Sequence, residues 1–133
     1  MKTFALIFGI GFLVAGLAGF VPALCPDGKL FGLFAVNTIH NLIHVATGVL
    51  TLILMKVSES ALRNFFRVFG IVYGLVAVLG LFSGNEPILG LIANNMPDVI
   101  LHFAAAGAAL YCGFARGGGI ATPPARGPDL RGV

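Results

Sequence analysis

Two short runs in this sequence combine residue types and spacing that could do chemistry. His40 and His44 stand four residues apart in Asn37-Thr38-Ile39-His40-Asn41-Leu42-Ile43-His44. Asp98 and His102 stand four apart in Asn95-Met96-Pro97-Asp98-Val99-Ile100-Leu101-His102. Side chains at that spacing share one face of a helix. His40 and Asp98 fall in a first turn, with His44 and His102 roughly 5 Å deeper. If the two helices touch, three imidazoles and one carboxylate converge. Three readings stay open. Such a set suits a transition metal ion such as zinc, copper or iron. His44 and His102 could instead hold one haem iron from its two sides, with Gly48 and Ala106 leaving room beside the rings. In the third reading there is no ligand: Asp98 hydrogen-bonds a histidine, Asn37 and Asn95 cap their helices, and the cluster only locks the bundle. Asn41 has no polar counterpart in the second run, where Val99 stands, so it lines the site or bonds a backbone carbonyl.

The elements that carry these runs are set by composition. The chain has 133 residues, 58% hydrophobic and 10% charged, with a mean hydropathy of +1.00. A soluble domain carries about 25% charged residues. So apolar a chain reads as an integral membrane protein whose main partner is the lipid bilayer. The formal charge of +3 comes from basic residues at loops and tails. No basic run with interleaved aromatics appears, which excludes nucleic acid as a partner. Cys25 and Cys112 fall toward opposite membrane faces and read as small apolar residues.

Four spans are expected, at about residues 4–21, 38–55, 62–82 and 96–114, within a domain over 1–115. The first competes with a signal peptide ending near Val21-Pro22-Ala23. Its length, and its likeness to a later segment, favour a span. Gly11, Ala15 and Gly19 suggest a face for close helix approach, as do Gly70 and Gly74. Asn37 and Asn95 read as N-caps, and Ser58 or Ser60 as the cap of the third helix. The apolar piece Leu30 to Val36 is too short to span and is expected at the interface or over the helix ends. Residues 116–133 read as a disordered cytoplasmic tail.

The chain also reads as a duplication. Gly32-Leu33-Phe34-Ala35-Val36-Asn37 aligns with Gly90-Leu91-Ile92-Ala93-Asn94-Asn95, an offset of 58 residues that maps His40 onto Asp98 and His44 onto His102. An offset of 61 maps Phe8-Gly9-Ile10 onto Phe69-Gly70-Ile71 and Phe12 onto Tyr73. The expected fold is an all-α membrane four-helix bundle of two parallel two-helix repeats. With both termini cytoplasmic, seven basic residues lie inside and only Lys29 lies outside, the bias that sets orientation. His40 and Asp98 then face outward.

At these residues the chain resembles a known family. The Gly-Phe-Val-Pro end of span one, the run from Leu33 to Gly48 with its His-Asn-x-x-His motif, and the run from Asn94 to His102 are similar to the bacterial four-helix membrane family called domain of unknown function four-three-eight-three. The resemblance covers roughly residues 5 to 112. It implies a small bacterial integral membrane protein with four spans and brings no activity; the bacterial inner membrane is the expected location. No nucleophile–base arrangement or phosphate loop appears, which argues against hydrolysis or phosphoryl transfer. Three function classes remain: a ligand site at His40, His44, Asp98 and His102; a scaffold packing with copies of itself or another membrane protein; and a small proton-coupled transporter.

Overall fold

The computed structural model describes residues 1–115; the tail expected over 116–133 lies outside the described residues. Helix α1 spans Lys2–Ala18, α2 Thr38–Val57, α3 Glu59–Ser83 and α4 Met96–Phe114. The fold is all-α. Helices α2, α3 and α4 are each long and apolar enough to cross a membrane, whereas α1 is a shorter apolar helix of 17 residues. At 1.5 Å per residue α1 reaches about 25 Å, against a hydrocarbon core of about 30 Å. It ends before the expected Val21 because Pro22 follows: the residue before a proline is pushed out of the helical region, and Val21 is extended.

Side-chain caps begin three of the four helices. Asn37 Oδ1 accepts the His40 amide at 2.9 Å. Ser58 Oγ accepts the Ala61 amide at 3.0 Å, so Ser58 rather than Ser60 starts α3. Asn95 and Asp98 form a reciprocal capping box, each side chain accepting the other's amide at 3.1 Å. These bonds satisfy first-turn N–H groups that have no partner inside the helix.

The loop piece Leu30 to Val36 contains a small antiparallel ribbon. Strand β1 (Lys29–Leu30) pairs with β2 (Phe34–Ala35), Leu30 opposite Phe34. Phe31 and Gly32 both take positive φ between them. The second loop repeats this geometry: Ile88 bridges Ile92, with Leu89 and Gly90 at positive φ. Each loop closes over three residues, the first two at positive φ, a conformation usually signalled by Asn-Gly. Here Phe-Gly and Leu-Gly fill it, so the strands were invisible in the sequence. The ribbons tuck Leu30 and Ile88 into the protein, and β2 also lies against α4.

Close packing runs within two hairpins, α1 on α2 and α3 on α4. A Cβ on Gly48 would lie 2.6 Å from the Leu13 nitrogen and 2.7 Å from the Gly9 oxygen. A Cβ on Gly70 would lie 2.6 Å from Leu110 Cγ. The close face of α1 is thus Gly9 and Gly16, seven residues and two turns apart. Of the small residues expected there, Gly19 does pack, on the Asn41 side chain, but a Cβ on Gly11 would meet no atom within 4 Å. Gly11 stands about 200° around the helix from Gly9 and faces elsewhere.

At the end that carries Met1, the core is aromatic. Phe8 meets Phe66 and Phe69 edge-on, at centroid distances of 5.3 and 5.1 Å, and Phe69 stacks on Tyr73 at 4.2 Å. Arg67 Nε donates to the Gly113 oxygen at 2.7 Å, and Arg63 donates to Ala115. Cations there suit a helix C-terminus.

Candidate metal centre

The site lies at the opposite end, under the two ribbons. His40 occupies the third position of α2, which its Asn37 cap draws into the first turn. His44 follows one turn deeper, and His102 projects from α4. Helices α2 and α4 meet through these side chains rather than through close backbone packing. His40 Nε2 and His44 Nε2 are 3.2 Å apart. The His102 ring centroid is 5.7 Å from that of His40 and 6.3 Å from that of His44. One ring nitrogen from each imidazole can be chosen so that all lie within 4.8 Å of one another.

Burial of this cluster is deep. His40 and His102 are 2% and 3% exposed; His44 is the partly exposed member. His40 Nδ1 and both ring nitrogens of His102 have no hydrogen-bond partner among the described residues. A buried polar group left unpaired costs about 1–3 kcal/mol. Most buried polar atoms in proteins avoid that cost, so three unpaired nitrogens at one point call for an explanation.

Asp98, the fourth residue of the expected set, is held differently. Its Oδ2 accepts the Ala35 amide at 3.0 Å and the Asn95 amide at 3.1 Å. It thereby pins ribbon β2 to the start of α4. His40 stands at the corresponding helix position, and its ring turns to His44 instead. Asp98 still lines a cavity together with His40 and His44.

The asparagines tie the two halves together. Asn37 Nδ2 donates to the Leu91 oxygen, and Asn95 Nδ2 donates to the Leu33 oxygen, both at 2.8 Å. Donors and acceptors here are related by the same 58-residue offset. Asn41 is buried against Gly19, and its Oδ1 has no partner among the described residues. Asn94, which the sequence did not single out, donates to the Gly80 and Gly84 oxygens at 3.0 and 2.7 Å. It fastens the end of α3 to the second loop.

Two aromatic walls also escaped the reading of the site. The Tyr73 ring is 4.9 Å from that of His102, and the Phe12 ring is 5.0 Å from that of His44. The offset of 61 residues that pairs Phe12 with Tyr73 carried the signal: each stands on the hairpin partner of a deeper histidine.

With this geometry in view, the whole described region matches one family model. It is described as Domain of unknown function (DUF4383), and the match covers residues 2–115. The chain belongs to this family. No curated protein and no solved structure matches it. The family carries no assigned activity, so function has to be read from the site.

Proposed function

We propose that His40, His44 and His102 hold a transition metal ion inside the membrane. One observation carries this reading: three imidazoles, two of them buried, converge within 4.8 Å, with three ring nitrogens of the buried pair unpaired. Tetrahedral bonds of about 2.0–2.1 Å to imidazole place ligand nitrogens about 3.3 Å apart. The His40–His44 separation of 3.2 Å already meets that edge. His102 needs a small rotation to complete the triangle. Three neutral nitrogens suit zinc, copper or iron. Asp98 lines the same cavity as His40 and His44, and a carboxylate there would lower the cost of a cation in low dielectric.

An ion fits better than haem. Gly48 and Ala106, the residues that were to leave space, are both taken up in helix contacts: Gly48 against Gly9 and Leu13, Ala106 against Gly70. Phe12, Tyr73 and His40 crowd the sides of the deeper imidazoles.

In the same reading the protein is a four-pass protein of a bacterial inner membrane, built from two parallel hairpin repeats with cytoplasmic termini. The recurring turns, the reciprocal asparagine bonds and the seven-to-one basic asymmetry support this. Metal analysis and an absorption spectrum of protein extracted in mild detergent test the site. The expected result is about one transition metal ion per chain, no Soret band, and loss of metal in His44→Ala and His102→Ala. Equal metal traces in all three proteins would refute it.

A second reading has its own support. The outward face of α4 exposes Ala104, Gly107 and Ala108, and a Cβ on Gly107 would meet nothing within 4 Å. Small residues exposed to lipid suit close approach by another helix. As a scaffold, the protein would pack this face on a second copy or another membrane protein. Crosslinking at Gly107→Cys would then give one defined dimer or complex rather than a diffuse ladder.

A further inference from the structure

The structure is not equally closed on all sides. Helices α2 and α3 pack on each other, whereas the seam between α1 and α4 holds a cavity of about 550 Å³. Its lining on α1 runs from Leu6 to Ala18, roughly 18 Å along the helix axis. That direction makes it a groove open sideways to lipid rather than a pore open to water. An adjoining cavity of about 310 Å³ continues past Phe12 to His102, and His44 lines both.

Sequence explains the space on this seam. The α1 wall is built from Gly11, Ala15 and Ala18. At an offset of 61 residues, α3 carries Val72, Val76 and Leu79 instead. Small residues leave space along α1 at positions where α3 carries branched side chains, Val72 and Leu79 standing exposed.

We propose that this groove binds a membrane-soluble quinone, its ring against His44 and its isoprenoid tail lying along α1. The chemistry of the walls selects that class. Among the described residues no Lys or Arg lines either cavity, and Asp98 lines the larger one, so an anionic head such as a fatty acid or phospholipid phosphate finds no counter-charge. A quinone is neutral and offers two carbonyl oxygens, which accept a hydrogen bond from imidazole. Its flat ring suits walls made of Phe12, Phe31 and Phe34. The tail replaces lipid along Leu6, Ile10 and Val14, which already face outward. His44, the partly exposed imidazole, is the group within the ligand's reach. This site stands on the groove and holds whether or not a metal fills the three-histidine cluster.

The test uses the full chain in lipid nanodiscs and a photoreactive azido-benzoquinone with a decyl tail. Label should map by mass spectrometry to the α1 segment 6–18 and to Leu101. Unlabelled decyl-benzoquinone should compete, and dodecanoate should not. Gly11→Leu fills the groove without touching an imidazole and should cut labelling about tenfold or more, because the new side chain takes the ring's space. Ala15→Leu should do the same should Gly11→Leu not fold. Val72→Leu, at the position on α3 that matches Gly11, should leave labelling unchanged. Metal content measured on the same samples separates this site from the metal reading. Labelling indifferent to both filling variants, or competed by dodecanoate, would overturn the proposal.

Discussion

The two ends of the bundle solve the same packing problem with opposite chemistry. At the Met1 end, α1, α3 and α4 meet through Ala5, Phe8, Phe66, Phe69 and Ala109, all buried and all apolar. At the ribbon end, the buried side chains include His40, Asn41, Asn94, Asp98 and His102. The first end gains from contact area alone, and every group there is content without a partner. The second end must find a partner for each polar atom. It succeeds for Asp98, Asn37 and Asn95 and fails, among the described residues, for three imidazole nitrogens and for the Asn41 and Asn94 side-chain oxygens. The first end therefore reads as scaffold, and the second as a place where stability is given up for binding.

Variants can break that contrast. The largest stability loss is expected for Phe66→Ala, which empties the centre of the aromatic core and should cost about 3–5 kcal/mol, read as a fall in melting temperature with metal content per folded chain unchanged. Gly48→Val comes next. Its new side chain strikes α1 backbone and should cost about 1–3 kcal/mol; a wild-type melting curve would mean that α1 and α2 are not so tightly joined. Asp98→Ala removes the acceptor of two amides and should cost about 1–2 kcal/mol, in the same melting assay. Asn37→Ala and Asn95→Ala should each cost about 1 kcal/mol and by matching amounts, since their bonds are reciprocal; unequal losses would argue against equivalent halves. The smallest structural effect belongs to His102→Ala. Removing a side chain with two unpaired nitrogens should leave the melting temperature nearly unchanged, or raise it, in metal-free protein while metal binding is lost. A large loss of stability in that metal-free comparison would move the histidines to the scaffold side.

Acidity sharpens the same comparison. A metal competes with protons for imidazole nitrogen, so bound metal should fall as the pH is lowered. The Met1 end carries no imidazole and should show no matching change in its packing.

Much of this was legible before any coordinates. Apolar runs of span length, punctuated by Pro, Gly and Asn, determined the all-α membrane class, because backbone groups in lipid must bond within a helix. Asn37, Ser58 and Asn95 announced their caps, since a side-chain oxygen ahead of a helix has one local use. The four-residue spacing of His40 with His44, and of Asp98 with His102, put each pair on one helix face. Other features only the tertiary structure could decide. Asp98 could have turned to the histidines or to the backbone; the Ala35 amide, 63 residues away in the chain, draws it to the backbone. Gly11 and Gly9 look alike in sequence, yet one sits in open space and the other under α2. Helical periodicity says which residues share a face, but not what that face will meet, because that depends on partners brought in from elsewhere in the chain.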